Sequence, residues 1–164
     1  MSKTILIVTD NLPDQINGVV TTYKNIEAHA ILDNYRVVYL DPGRFRYFDC
    51  PGYNEVKITY PRKVGAKIEE INPDHIHIAT EGPLGWAARG LCIQRGWAFT
   101  TAFHTKFPEI LQAALRIPLW MGYGLFRRFH RPSSGVMVPT QGVLEMLTSR
   151  GFQKLKPWTH GVDL

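Results

Sequence analysis

Short apolar runs alternate along the chain with longer stretches of helical spacing. Residues 4–9 (TILIVT) are continuously apolar between two threonines, as in a strand buried on both faces of a parallel sheet. From Gly18 to about Leu32 the spacing turns helical, with Val19, Tyr23, Ile26 and Ala30 on one stripe. Residues 36–40 (RVVYL) predict a second strand, stopped by Asp41-Pro42-Gly43. Residues 44–54 read as an aromatic loop, and 55–60 (EVKITY) alternate as a third strand. A short helix over 64–71 ends at Asn72-Pro73, and 75–80 (HIHIAT) form a fourth strand.

The second half repeats the alternation. Pro83 opens a helix that runs to Arg95, with Gly96 just past its end. Residues 98–103 (AFTTAF) predict a fifth strand, and helical spacing resumes over 108–116 and 118–130. Residues 134–139 (SGVMVP) form a sixth strand. Thr140 can cap a helix to Arg150, Gly151 suits its C-terminal cap, and 154–158 leave room for a last strand. Strands separated by helices imply crossover units, hence one α/β domain with a Rossmann-like parallel sheet flanked by helices. Ligands of such sheets sit outside the carboxyl ends of the strands.

Composition narrows the class. The 164 residues are 45% hydrophobic and 20% charged, enough for one globular core without staples. Cys50 and Cys92 have no metal-ligand spacing, and Cys92 sits in an apolar helical run, so free thiols in a reducing compartment are expected. The N-terminus lacks the longer apolar region of a signal peptide, and no run approaches the length of a membrane span. The expected location is the cytoplasm. The net charge of +5 is uneven: no acidic residue lies between Glu109 and Glu145, while Arg116, Arg127, Arg128 and Arg131 fall inside. That excess fits an anionic partner as well as it fits a solvated helix face.

Candidate chemistry gathers at predicted strand ends. After the first strand, Asn17-Gly18 precedes a helix; a plain turn is the preferred reading, and the alternative is a site where the helix N–H groups face an anion, with GxGxxG and GxxxxGK[ST] both absent. After the fourth strand come Glu81 and Gly82. Glu81 is either an acceptor for sugar hydroxyls or a first-turn carboxylate favoured by the helix dipole. After the fifth strand, His104, Thr105 and Lys106 put an imidazole, a hydroxyl and an ammonium in a row, which a core strand does not need. His75 and His77 share one face of the fourth strand, but zinc wants a third ligand and none is evident, so they read as packed side chains and no metal is expected. In residues 120–131, Trp120, Tyr123 and Phe126 stripe a helix that ends in arginines. This suits a membrane surface, although packing is the preferred reading.

Five stretches in order, TDNLPDQINGVVTTY, PDHIHIATEGPLGWAARG, TTAFHTKFPE, VPTQGVLEMLTSRGF and WTHGVDL, together resemble the GT-B glycosyltransferases of family 4. The resemblance covers nearly the whole chain and is strongest to the subgroup of lipid-acting α-mannosyl-, glucosyl- and sulfoquinovosyltransferases. It implies the N-terminal, acceptor-side domain of an enzyme that moves a sugar, with retention, from a UDP- or GDP-sugar donor to a lipid or saccharide acceptor. Such enzymes serve glycolipid or polysaccharide synthesis in the cytoplasm or on the inner face of a membrane. By motif, His104 corresponds to the residue that approaches the transferred sugar. Gly18, beside Asn17 where many relatives have Gly-Gly, corresponds to the glycine loop, and Glu81 and Gly82 to the acceptor-side loop. Thr105 and Lys106 accompany His104 as substrate-binding candidates. No cofactor and no nucleic acid partner are implied.

The resemblance also implies a second, donor-binding domain, which these 164 residues are expected to lack, and therefore little transfer by the chain alone. A non-catalytic binding module that keeps the fold is the alternative expectation. An unrelated Rossmann-like nucleotide binder is disfavoured by the absent glycine fingerprints.

Overall fold

The structure is a computed structural model that describes residues 2–51, 53–104 and 107–158, with backbone alone for residues 53–56, 107, 110, 111 and 114. The elements follow the alternation of the sequence. They are β1 (Lys3–Val8), α1 (Gly18–Leu32), β2 (Tyr35–Leu40), a short 3-10 turn, β3 (Arg46–Cys50), β4 (Tyr53–Tyr60), α2 (Val64–Ile71) and β5 (His75–Ile78). After these come α3 (Pro83–Arg95), β6 (Thr100–Ala102), α4 (Phe107–Leu115), α5 (Leu119–His130), β7 (Val136–Val138), α6 (Gln141–Ser149) and β8 (Leu155–Pro157).

Six strands form one parallel sheet in the order β2-β1-β5-β6-β7-β8. This is the α/β, Rossmann-like architecture expected. Alternate residues of each strand supply the two faces. Leu6, Val8, Ile76 and Ile78 pack against α2 and α3 through Val64, Ile68, Leu84, Ala88 and Cys92, with Phe129 of α5 sealing the cluster. Val136 and Val138 continue that face beneath Tyr123 and Phe126 of α5 and Leu147 of α6. On the opposite face Ile7 packs with Tyr23 of α1. Both thiols are free, and Cys92 lies in the core.

One stretch departs from the reading. Residues 44–54 are largely not a loop, and the 55–60 run is not a third strand of the main sheet. Arg46–Cys50 and Tyr53–Tyr60 pair antiparallel as a separate two-stranded ribbon. The β3 side chains are mostly exposed, so no apolar stripe marks that strand and backbone pairing defines it.

Several ends follow from local chemistry. Thr140 accepts a hydrogen bond from the Val143 N–H and starts α6. Gly96 and Gly151 end their helices at φ +68° and +80°, where a side chain would be strained.

Candidate functional site

The carboxyl ends of the sheet strands meet at one edge. There β2 lies to one side of β1, and β5 through β8 lie to the other, so the ligand crevice of such folds would open between β1 and β5. It is filled from within. Asp10, just past β1, is 7% exposed. Its carboxylate accepts hydrogen bonds from the N–H of Leu84 at 2.7 Å and of Gly85 at 3.3 Å, and from the Thr80 hydroxyl at 2.7 Å. The Asp10 N–H donates back to that hydroxyl. Asp10 therefore caps α3 from a distance and occupies the anion position at its N-terminus. Burial pushes its carboxyl up to about 6, against the pull of these hydrogen bonds. A Cβ on Gly82 would overlap the Asp10 carboxylate, so glycine at that position is a packing requirement.

Glu81 takes a third place, neither of the two expected. It turns inward to His130 at the end of α5, with Oε1 3.1 Å from Nε2 and side-chain exposures of 2% and 1%. His130 Nδ1 lies 2.8 Å from Thr101 Oγ1, which donates to Ser133 Oγ at 3.3 Å. This carboxylate is enclosed, so a direct contact with a sugar hydroxyl does not describe the structure.

His104 stands two residues beyond β6, at the same edge and only partly buried. Tyr23, on the second turn of α1, places its hydroxyl 2.7 Å from Nε2 of His104 and 2.7 Å from Nε2 of His77. His77 Nδ1 is in turn 2.7 Å from Thr100 Oγ1. The rings of Tyr23 and Trp158 meet the His104 ring edge-on, with centroids 5.3 Å and 5.7 Å away. Desolvation lowers His77 to about 4, so it is neutral around pH 7. Burial also drives Tyr23 well above its ordinary value, so its hydroxyl keeps its proton.

Tyr23 also stands between two cavities. A groove of about 420 Å³ runs along the α1 side of the sheet past Ile5, Ile7, His77, Met137 and Trp158. A smaller cavity of about 220 Å³ opens toward Asn11, Lys24, Glu27, Tyr39 and Asp41.

Asn17 is the N-cap of α1, its side chain accepting from the Val20 N–H at 3.0 Å. A Cβ on the exposed Gly18 would meet nothing within 4 Å, so the fold itself does not demand glycine there. Tyr23 lies five positions past Gly18, about 7.5 Å along the helix axis. The start of α1 and His104 thus belong to one edge. Thr105 and Lys106 lie outside the described residues. His75 is exposed while His77 is held by Tyr23 and Thr100, and among the described residues no three His, Cys, Asp or Glu side chains group as metal ligands.

The sequence model of Glycosyltransferase Family 4 matches residues 18–164. The chain belongs to glycosyltransferase family 4. No curated protein matches it. Family membership and the six-stranded parallel sheet make this an N-terminal GT-B domain, and they imply in general terms the binding of a sugar donor and an acceptor. The family 4 match starts at Gly18 and takes in Tyr23, His77 and His104.

Asp10 and Tyr23 are the residues that sequence reading missed. Asp10 falls in the first of the five family-like stretches, where Asn17-Gly18 was the candidate, and an aspartate just past a strand gives no local sign of a partner 74 residues away. Tyr23 sat on an apolar helical stripe, and its hydroxyl was the signal that it had a polar partner to satisfy.

Among the described residues no helix is long and apolar enough to cross a membrane. Helix α5 divides its aromatics: Tyr123 and Phe126 are buried, but Trp120 is 75% exposed, beside exposed Met121 and Leu125. The single packed stripe expected of Trp120, Tyr123 and Phe126 is corrected in this respect.

Proposed function

We propose that this domain forms the acceptor-side wall of a retaining glycosyltransferase that moves a sugar from a UDP- or GDP-sugar to a lipid or saccharide acceptor. The observation that carries the reading is His104, held at the carboxyl edge of the sheet in a family 4 domain by Tyr23 and flanked by Trp158. In such a transfer positive charge builds on the sugar ring and negative charge on the departing phosphate. Fixed dipoles and precise placement of the two substrates supply the acceleration. His104 positions the sugar through a hydrogen bond to a ring hydroxyl. Asn17 fixes the start of α1, and the open space over Gly18 admits a diphosphate or acceptor group close to the helix N–H groups. Gly82 keeps the neighbouring loop seated on Asp10. Thr105 and Lys106 join His104 as substrate contacts, and Glu81 supports the wall from behind through His130.

Donor grip in this reading comes mainly from a second domain, so the 164 residues alone transfer little. Turnover is measured with UDP-glucose and GDP-mannose, for the chain alone and together with a donor-binding domain. Robust transfer by the chain alone overturns the two-domain requirement. In the competent enzyme His104→Ala lowers turnover by roughly a hundredfold, and unchanged turnover returns His104 to a structural role.

A membrane surface is the second element of the proposal, which puts the protein on the cytoplasmic side as a peripheral protein. Leu115, Trp120, Met121 and Leu125 are exposed, as are Arg116, Arg127, Arg128 and Arg131 of the same 115–131 stretch, a mix of apolar and cationic side chains that suits an anionic membrane surface. Co-sedimentation with anionic phosphatidylglycerol vesicles at low salt tests it, and absence of binding under those conditions removes it.

A further inference from the structure

The Tyr23 hydroxyl sits within hydrogen-bond distance of two imidazole nitrogens at once, Nε2 of His77 and Nε2 of His104. A phenol has one proton to give. If it donates to one ring, it satisfies the other by accepting from it. His77 is neutral and has one N–H, and its Nδ1 faces the Thr100 hydroxyl, which can either donate or accept.

The four groups therefore form one directional chain with two complete settings. In the first, Thr100 donates to His77 Nδ1, His77 Nε2–H donates to Tyr23, and Tyr23 donates to His104 Nε2. A neutral His104 then carries its proton on Nδ1. In the second, every bond reverses: His104 Nε2–H donates to Tyr23, Tyr23 to His77 Nε2, and His77 Nδ1–H to Thr100. A neutral His104 then has an unprotonated Nδ1. Any mixed arrangement forfeits a hydrogen bond at buried Tyr23, which is 3% exposed.

We propose that Tyr23 and His77 are positioning residues: they hold the His104 ring by Nε2 and fix which of its nitrogens bears the proton. His104 meets any partner other than Tyr23 through Nδ1. The setting of the chain therefore decides whether Nδ1 bears a proton or a lone pair. The functional meaning rests on the reading of His104 as the sugar-facing group. The hydrogen-bond chain itself does not.

The experiment is ring-nitrogen NMR of the 15N-labelled 164-residue chain at mildly alkaline pH, with Tyr23→Phe and Thr100→Val beside it. The expected result is that His77 and His104 hold opposite tautomers, one protonated on Nδ1 where the other is protonated on Nε2. Thr100→Val is expected to shift both populations together and in opposite senses, although Thr100 bonds to His77 and not to His104. Tyr23→Phe is expected to uncouple the rings while the amide spectrum stays dispersed. The proposal is overturned if both rings carry the proton on Nε2, or if Tyr23→Phe leaves the His104 nitrogens unchanged. If Tyr23→Phe fails to fold, Thr100→Val still decides: movement of His77 alone overturns the coupling. Unchanged sugar transfer by His104→Ala would sink the sugar-facing reading and leave these spectra as they are.

Discussion

Two consecutive threonines on β6 anchor histidine networks on opposite faces of the sheet. Thr101 holds His130, which pairs with Glu81, and all three are nearly inaccessible. Thr100 holds His77, which shares the Tyr23 hydroxyl with His104 at a partly open edge. Both networks consist of an imidazole, a hydroxyl and a further polar partner, so residue type does not separate them. Enclosure does. A sealed network has its bonding fixed by its own members and contributes only to stability. A network that ends on a partly buried ring at the ligand edge can pass its hydrogen-bond state to something outside the fold.

The largest test of this contrast removes one histidine from each side. His130→Leu strands the Glu81 carboxyl in an apolar setting and is expected to cost about 3 kcal/mol. For a domain of this size that lowers the melting temperature by roughly 6–12 °C. His104→Ala is expected to cost about 1 kcal/mol or less while removing the proposed sugar contact. Equal losses in thermal melts would erase the distinction between a sealed and an open network.

Asp10 is a third polar node at the same edge and resembles the sealed kind. Asp10→Ala frees the N–H groups of Leu84 and Gly85 and the Thr80 hydroxyl inside the crevice, at an expected cost of about 2 kcal/mol in chemical denaturation. A loss near zero would mean that water replaces the carboxylate and that the crevice is open after all.

The pH dependence sharpens the comparison further. Asp10 is raised from 3.8 to about 6, so the folded state binds its proton more tightly. That contribution is complete below about 4 and is lost as pH rises through 6. His77 is lowered from 6.5 to about 4, so its contribution is complete above 6.5 and is lost as pH falls through 4. The two slopes oppose each other in one window. Asp10→Asn removes the first, so its urea midpoint is expected to fall more steeply than the wild-type midpoint between pH 6.5 and 4. Parallel curves would show that one of the two groups does not titrate as its surroundings dictate.

How legible these features were follows from how local their causes are. The continuous apolar run of β1 declared a strand buried in a parallel sheet. Pro83 and Gly96 marked α3 at both ends, because a fixed φ and a positive φ are properties of single residues. The β3–β4 ribbon was hidden because its β3 side chains face solvent, and no hydrophobic period is written where nothing is buried. The alternation in EVKITY was the available clue, since a strand with one wet face suits an antiparallel pair better than the middle of a parallel sheet. At the site, the strand-end rule brought His104 forward. Its partners lie far away in sequence, Tyr23 by 81 residues, and the Asp10 cap reaches 74 residues to Leu84. Partners at that range become visible only when the sheet order brings the strand ends together.

The finest test stays on β6 and exchanges each threonine for valine, which keeps the shape and removes one oxygen. Thr101 is wholly buried and serves both His130 and Ser133, so Thr101→Val is expected to cost about 1–2 kcal/mol. Among the described residues the Thr100 hydroxyl bonds to His77 and is less enclosed, so Thr100→Val is expected to cost about 0.5–1 kcal/mol. The order matters more than either value, and a double-mutant comparison provides its control. Paired with His130→Leu, Thr101→Val should lose most of its own effect, because its main partner is already gone, while Thr100→Val should keep all of it. If Thr100→Val also loses its effect there, the two faces of the sheet communicate through β6, and the separation of a structural histidine from a ligand-edge histidine fails at its shared strand.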